Sequence, residues 1–294
     1  MQLKVSHKIA LGFAFLVLSI LLVGAGGLWG AKNIKHSLDQ VTHQSLPTVV
    51  GSLKQMVTLQ QANQALLRFM SADSDEQSRS QEQALFNQHL EAFSSQLTGL
   101  IEQFQLTDQQ HQLLTTTLAT KEQFATAAAQ AMALYQQRVM LHERLRQKES
   151  GFRRKTDTLN TWGQKYLNDQ SDSAKLLQMR SFMRAANKHR NQLINYRQNL
   201  DYPTLAKQLS ESKGELQQSL DLLTAIDPST KRIAPLVDDL IADLYNEGGM
   251  VALYAESYQN EQQLSTQLAT TLQLQRDAHQ SAKSFITASL EQAS

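Results

Sequence analysis

The chain has 294 residues, a formal net charge of +1 and no cysteine. Near-neutral charge removes the electrostatic case for nucleic acid, and the lack of thiols excludes disulfides, zinc–thiolate sites and cysteine nucleophiles together. Few prolines and aromatics among abundant Ala, Leu, Gln, Ser, Glu and Lys describe helix-forming material, suited to long thin bundles rather than an α/β core.

The first element is "KIALGFAFLVLSILLVGAGGLWG", residues 8–30, with no charge between Lys8 and Lys32. About twenty apolar residues rising ~1.5 Å each match a bilayer core of ~30 Å. Lys4, Lys8 and the small residues of "VGAGG" also fit a cleaved signal, and a buried core helix is a third reading. Signal cores are usually ~7–15 residues, and this run continues to Trp29, where an interfacial aromatic would sit. The favoured expectation is a transmembrane helix over 9–30, from Ile9 to Trp29, after a cytoplasmic 1–8. Both leading readings export the remainder of the chain. Loop charge does not decide orientation, because Lys32 and Lys35 nearly balance Lys4 and Lys8.

Breakers divide residues 31–294 into six helical segments: about 31–71, 79–104, 108–168, 173–199, 203–225 and 229 to the end. They are separated by "SADSDEQS", "QLTDQQ", "NDQSDS", "NLDYP" and "AIDPSTKR". Medium, short, long is followed by short, short, long, a repeat of layout rather than of residues. The predicted fold is all-α: an N-terminal transmembrane helix, then two stacked four-helix bundles with the third and sixth helices long and shared. The proximal module takes about 46–130 with 262–290, and the distal module about 140–255. Heptad spacing supports this, as in Phe124, Ala127, Ala131 and Leu134 of segment three and Ile233, Val237, Leu240 and Leu244 of segment six.

The opening "VSHKIALGF", the apolar span, "QSLPTVVGSLKQM" after it and the six-segment layout resemble the N-terminal half of a bacterial methyl-accepting chemotaxis receptor. The sensor resembles the helical-bimodular (HBM) type, which also occurs in some sensor histidine kinases. The resemblance implies an inner-membrane protein with its bulk in the periplasm, working as a homodimer. It also implies a second span and a signalling hairpin, which are not present in these 294 residues; the chain is therefore expected to be a fragment.

Polar residues interrupt the seams. Arg190 of segment four, Lys148 and Glu247 are counted to one level on three helices. They fit either a small acid held by a bidentate Arg190 or a salt-bridge layer that fixes register. Arg184, with Arg180, flanks this seam and reads as a pocket mouth or a solvated face. In the proximal module the seam Leu53, Met56, Gln60, Asn63, Leu67 and Met70 places Gln60 and Asn63 level with Thr117, Gln275 and His279. This layer either binds a polar ligand or bonds internally. An aromatic stripe of Trp162, Tyr166, Tyr245, Tyr254 and Tyr258 is core packing or a pocket wall. No residues with catalytic spacing, no metal-ligand set and no cofactor motif occur in the sequence.

These readings favour a non-enzymatic sensor that binds a small molecule, an organic acid or an amino acid, and shifts the sixth helix. The rivals are a histidine kinase or cyclase sensor that recognises a periplasmic binding protein, and an anchored helical adaptor with no ligand.

Overall fold

The computed structural model describes residues 27, 29, 31–35, 38, 41–42, 46–72, 75–104 and 106–291. The transmembrane helix expected over 9–30 falls outside them, except for Gly27 and an exposed Trp29. Among the described residues no helix is long and apolar enough to cross a membrane, and no strand occurs.

Local chemistry sets the helix starts. Helix α1, Leu46–Ser71, has Pro47 in its first turn, where the missing N–H costs nothing. Helix α2, Glu76–Gln103, is capped by Asp75, whose carboxylate accepts from the amides of Gln77 and Ser78. Helix α3, Asp108–Asp169, opens with a reciprocal box. The Gln110 amide donates to Thr107 Oγ1 at 3.3 Å, and the Thr107 amide donates to Gln110 Oε1 at 2.9 Å. Asp172 caps α4, Ser173–Asn199, which stops where Leu200 turns left-handed at φ 53°. Asp201 caps α5, Tyr202–Ser212. Helix α6 is Glu215–Ile226. Asp227 then caps a 3₁₀ turn, Pro228–Ile233, leading into α7, Ala234–Tyr245, and α8, Met250–Glu291.

Two expected segments are therefore broken. The fifth divides at Lys213–Gly214, and the sixth divides between α7 and α8, giving eight α-helices between 46 and 291 among the described residues. Gly248 and Gly249 form the second break. Gly248 takes φ +71°, and the Gly249 amide donates to Asn246 O at 2.7 Å. A left-handed residue ends a helix cheaply only when it has no Cβ.

The described residues form two compact units, one of those up to 128 with 270–291, the other of 129–269. In the first, α1 and α2 pack side by side, and Thr58 Oγ1 of α1 meets Gln96 Oε1 of α2 at 3.4 Å. Its core takes Leu59, Leu66 and Phe69 from α1, Phe86, Phe93 and Leu97 from α2, Leu114 and Phe124 from α3, and Phe285 from α8. The buried seam of α1 is Ser52, Gln55, Leu59, Ala62, Leu66 and Phe69, not the expected Leu53, Gln60 and Leu67, which are exposed. The outer face carries Leu46, Val50, Leu53, Val57 and Leu67 at three-and-four spacing, each 43–58 % exposed.

The second unit packs Leu159, Met179, Phe182, Leu220, Leu223, Val237, Leu240 and Leu244 into one apolar core. Helices α3 and α4 approach closely. A Cβ built on Gly163 would lie 2.6 Å from Met183 Sδ. The Asn160 and Asn187 amides bond each other reciprocally at 3.0 and 2.9 Å.

Candidate functional site

Arg190 lies on the face of α4 that meets α3, half-buried, and donates from Nη1 to Asp157 Oδ1 at 2.7 Å. It lines a cleft of about 160 Å³ with Glu149, Phe152 and Arg153 of α3 and Leu193, Ile194 and Arg197 of α4. The spacing explains the gathering. Residues 149, 152 and 153 share one α3 face, and 190, 193, 194 and 197 share one α4 face. Arg197 pairs with Glu149, whose side chain is largely covered, and Tyr254 Oη donates to the same carboxylate. Burial, then that hydrogen bond, pushes the Tyr254 phenol far above its ordinary value, so it stays a neutral donor. Tyr196 stands edge-on to Tyr254 at 4.8 Å and supports the wall. Arg153 forms no ion pair among the described residues. Three guanidiniums thus face two carboxylates around an apolar floor, which leaves one positive charge for a small anion. At ~30 Å³ per water the cleft holds about five waters, room for a compact carboxylate.

Lys148 does not join Arg190. It points to the other side of α3, into a separate cavity of about 340 Å³ that Lys155, Asp243, Gly248 and Leu253 also line. There Lys155 donates to Asp243 Oδ2 at 2.7 Å, while Lys148 stays 3.9 Å from Asp243 Oδ1. Glu247 is exposed in the turn after α7, and Arg184 is exposed on α4. The expected trio is therefore divided: the levels along the helices are close, but positions 148 and 149 differ by about 100° around α3.

In the first unit, Asn63 is buried with Oδ1 unpartnered among the described residues, while Gln60 and His279 are exposed and Gln275 is half-buried. Thr117 is fully buried and spends its hydroxyl on Leu113 O at 2.8 Å. The buried amide that sequence reasoning misses is Gln55, 1 % exposed, with neither Nε2 nor Oε1 bonded among the described residues. It lies two turns before Asn63 on the same face of α1.

The aromatic stripe supplies a third cavity, about 590 Å³, at the end of α3 and the 3₁₀ turn. Trp162 and Tyr166 pack with ring centres 5.7 Å apart and planes tilted by 35°, and the Arg232 guanidinium lies 5.8 Å from the Trp162 ring. Tyr166 Oη donates to Asp227 Oδ2 at 2.7 Å. That bond, with those from Ser229, holds the Asp227 pKa down to about 2. Among the described residues no group of three or more His, Cys, Asp or Glu is placed to hold a metal ion.

Residues 2–140 match a family described as the four helix bundle sensory module for signal transduction. The fold is similar to the crystal structure of the V. parahaemolyticus histidine kinase sensor TorS sensor domain. That likeness has TM-score 0.62 and 13 % identity and covers 82 % of this chain and 99 % of that one. A TorS sensor domain–TorT complex crystallised in the presence of TMAO is similar at TM-score 0.61 and 13 % identity, over 80 % of this chain and 99 % of that chain. At such identity the structural likeness speaks for fold alone. No curated protein matches the sequence. The resemblance to a chemoreceptor-type sensor is borne out as a helical sensory module.

Proposed function

We propose that this chain, whose residues 2–140 carry a four-helix-bundle sensory module for signal transduction, is the ligand-sensing, extracytoplasmic part of a transmembrane chemoreceptor. Residues 9–30 anchor it in the inner membrane, and the bulk lies in the periplasm as a proximal and a distal module. The match over residues 2–140 is the observation that carries this reading.

The ligand is a small carboxylate held between α3 and α4 by Arg190, Arg153 and Arg197. Arg153 brings a charge with no ion-pair partner among the described residues, and Arg190 keeps one guanidinium edge for a bidentate contact. Ligand energy acts only as far as the two helix arrangements bind it differently, and α8 leads the response back toward the membrane. The test is calorimetry on the full chain in detergent with two- to five-carbon mono- and dicarboxylates and with amino acids. Carboxylate binding that disappears in Arg190→Gln and Arg153→Gln supports the site. Binding that survives both substitutions refutes it. No heat from any compound favours the ligand-free adaptor.

The receptor works as a homodimer paired along α1. The outer face of that helix is more apolar than much of its buried face, with Leu46, Val50, Leu53, Val57 and Leu67 in heptad spacing and Gln60 and Gln64 among them. Apolar heptads with occasional polar layers favour a partner helix of fixed register. The chain lacks cysteine, so Val57→Cys should cross-link to its copy under mild oxidation, while exposed Gln88→Cys on α2 should not. The reverse pattern refutes pairing along α1.

A second reading rests on exposed Leu177, Leu222 and Ile226. They belong to the α4 start and α6 end, which the Lys175–Asp227 contact of 3.7 Å brings together. The similar TorS sensor domain forms a complex with TorT. In this reading a periplasmic binding protein, rather than a free small molecule, docks on this apolar surface. Leu222→Asp with Ile226→Asp then abolishes capture of that binding protein while leaving the melting midpoint of the chain unchanged.

A further inference from the structure

The second unit buries a histidine where the sensor reading has no use for one. His189 is 1 % exposed on α4. Its Nδ1 is 3.2 Å from Ala185 O, and its Nε2 is 3.0 Å from Tyr245 Oη. Tyr245 Oη is in turn 2.9 Å from Leu209 O on α5. Tyr245 is the last residue of α7, just before the turn at Asn246–Gly249 that opens α8. This chain of contacts therefore ties α4, α5 and the α7–α8 break together.

Counting hydrogens makes the chain state-dependent. Both ends are carbonyls, which accept and never donate. These three contacts need three hydrogens, and Ser212 at the end of α5 adds a backbone acceptor for the charged ring and a hydroxyl beside Tyr245. A neutral imidazole and one hydroxyl supply two, and an imidazolium and one hydroxyl supply three. The Ala185 carbonyl, 3.2 Å from Nδ1, is satisfied in the neutral ring only with the hydrogen on Nδ1, and the tyrosine proton must then choose between His189 Nε2 and Leu209 O. In the charged form both ring nitrogens donate, and the Tyr245 proton is committed to Leu209.

We propose that His189 is a proton-operated latch: its charging turns the Tyr245 hydroxyl onto Leu209 and fastens the end of α7 to α5 as well as α4, which makes the α7–α8 break responsive to acid. The surrounding charges set where this happens. Lys188 of α4 is held by Glu215 of α6 at 2.6 Å. Lys213, between α5 and α6, lies 5.8 Å from the Tyr245 ring centre. Tyr245 is the titratable neighbour from α7, and on the α3 side Asp157 is taken by Arg190. Burial, the largest effect, lowers the His189 pKa below the ordinary histidine value, against the opposing pull of the Ala185 and Ser212 carbonyls and of the Glu215 charge. The latch closes only in acid.

The experiment is NMR of the full chain in detergent micelles, with labelled histidine rings and tyrosine Cζ. His189 is assigned by loss of its signal in His189→Gln. The expected result is a His189 titration below the usual histidine range, with helix content unchanged and the Tyr245 Cζ resonance moving at the same midpoint. In Tyr245→Phe the imidazolium loses its acceptor, so the His189 midpoint shifts further into acid. A Tyr245 signal that ignores the titration overturns the proposal. So does a midpoint that Tyr245→Phe leaves in place, or loss of helix before His189 charges. The wild-type correlation between the two resonances stands as a test even where the variant folds poorly.

Discussion

Asp227→Ala removes one carboxylate with several partners. Oδ1 accepts from the Ser229 amide at 3.1 Å and the Ser229 hydroxyl at 2.7 Å, capping the 3₁₀ turn; Oδ2 accepts from Tyr166 at 2.7 Å. Loss of a cap costs ~1 kcal/mol. Loss of a hydrogen bond to a charged group costs ~1.5–3 kcal/mol. Lys175 at 3.7 Å is partly exposed and adds at most about a few tenths of a kcal/mol. The expected loss is therefore about 3 kcal/mol. Urea denaturation followed by far-UV circular dichroism reads it as a fall in midpoint at constant slope. Tyr166→Phe alone removes only the phenol's share, and the double variant isolates the pair term. A Tyr166–Asp227 coupling below about 0.5 kcal/mol would refute the assignment of this bond as a clamp between the end of α3 and the 3₁₀ turn.

Acid should weaken the fold in two steps. The lowered His189 pKa means that the unfolded chain takes up its proton first, so stability falls as pH drops below the ordinary histidine value of 6.5. Asp227, held at about 2, contributes fully above 3.8 and loses its contribution between 3.8 and about 2. Melting curves across pH should show His189→Gln abolishing the first step and Asp227→Asn the second. Gly163→Ala places a Cβ against the Met183 side chain, which can move, so a cost of ~1–3 kcal/mol is expected by thermal melting. Gly249→Ala should cost more than Gly248→Ala. The former drives a Cβ to 2.8 Å from the Asn246 carbonyl oxygen, and the latter meets only the strain of φ +71°; equal midpoints in urea would contradict this.

Helices α3 and α4 are legible in the sequence because proline is absent from both and the caps Thr107 and Asp172 stand at their starts. The breaks at 213–214 and 246–249 are hidden because the heptad phase runs on across them, and a glycine there is a stop rather than a cost inside a helix. Helix α1 misleads for a different reason. Both its faces carry three-and-four spacing, and the more apolar of the two points outward, so hydrophobicity alone selects Leu53 over Ser52. At the candidate site, Arg190 is legible as a seam arginine, but its companions are not. Level along a helix follows from counting, whereas azimuth depends on which neighbour each face meets. Arg153 and Glu149 become visible only once α4 lies against that side of α3.

The reciprocal amide pair between Asn160 and Asn187 limits how the second unit can move. Within the pair each amide gives and takes one bond, and Asn187 Nδ2 is also fixed by the Met183 carbonyl at 2.9 Å, so a small slip of α4 along α3 loses both pair bonds at once rather than one at a time. Sliding there is a discrete event, resisted until both bonds fail together. Helices α3 and α4 then act as a stator. A stimulus arriving between them is more cheaply expressed at α7 and α8, which meet at the glycine turn 248–249 rather than continuing as one helix.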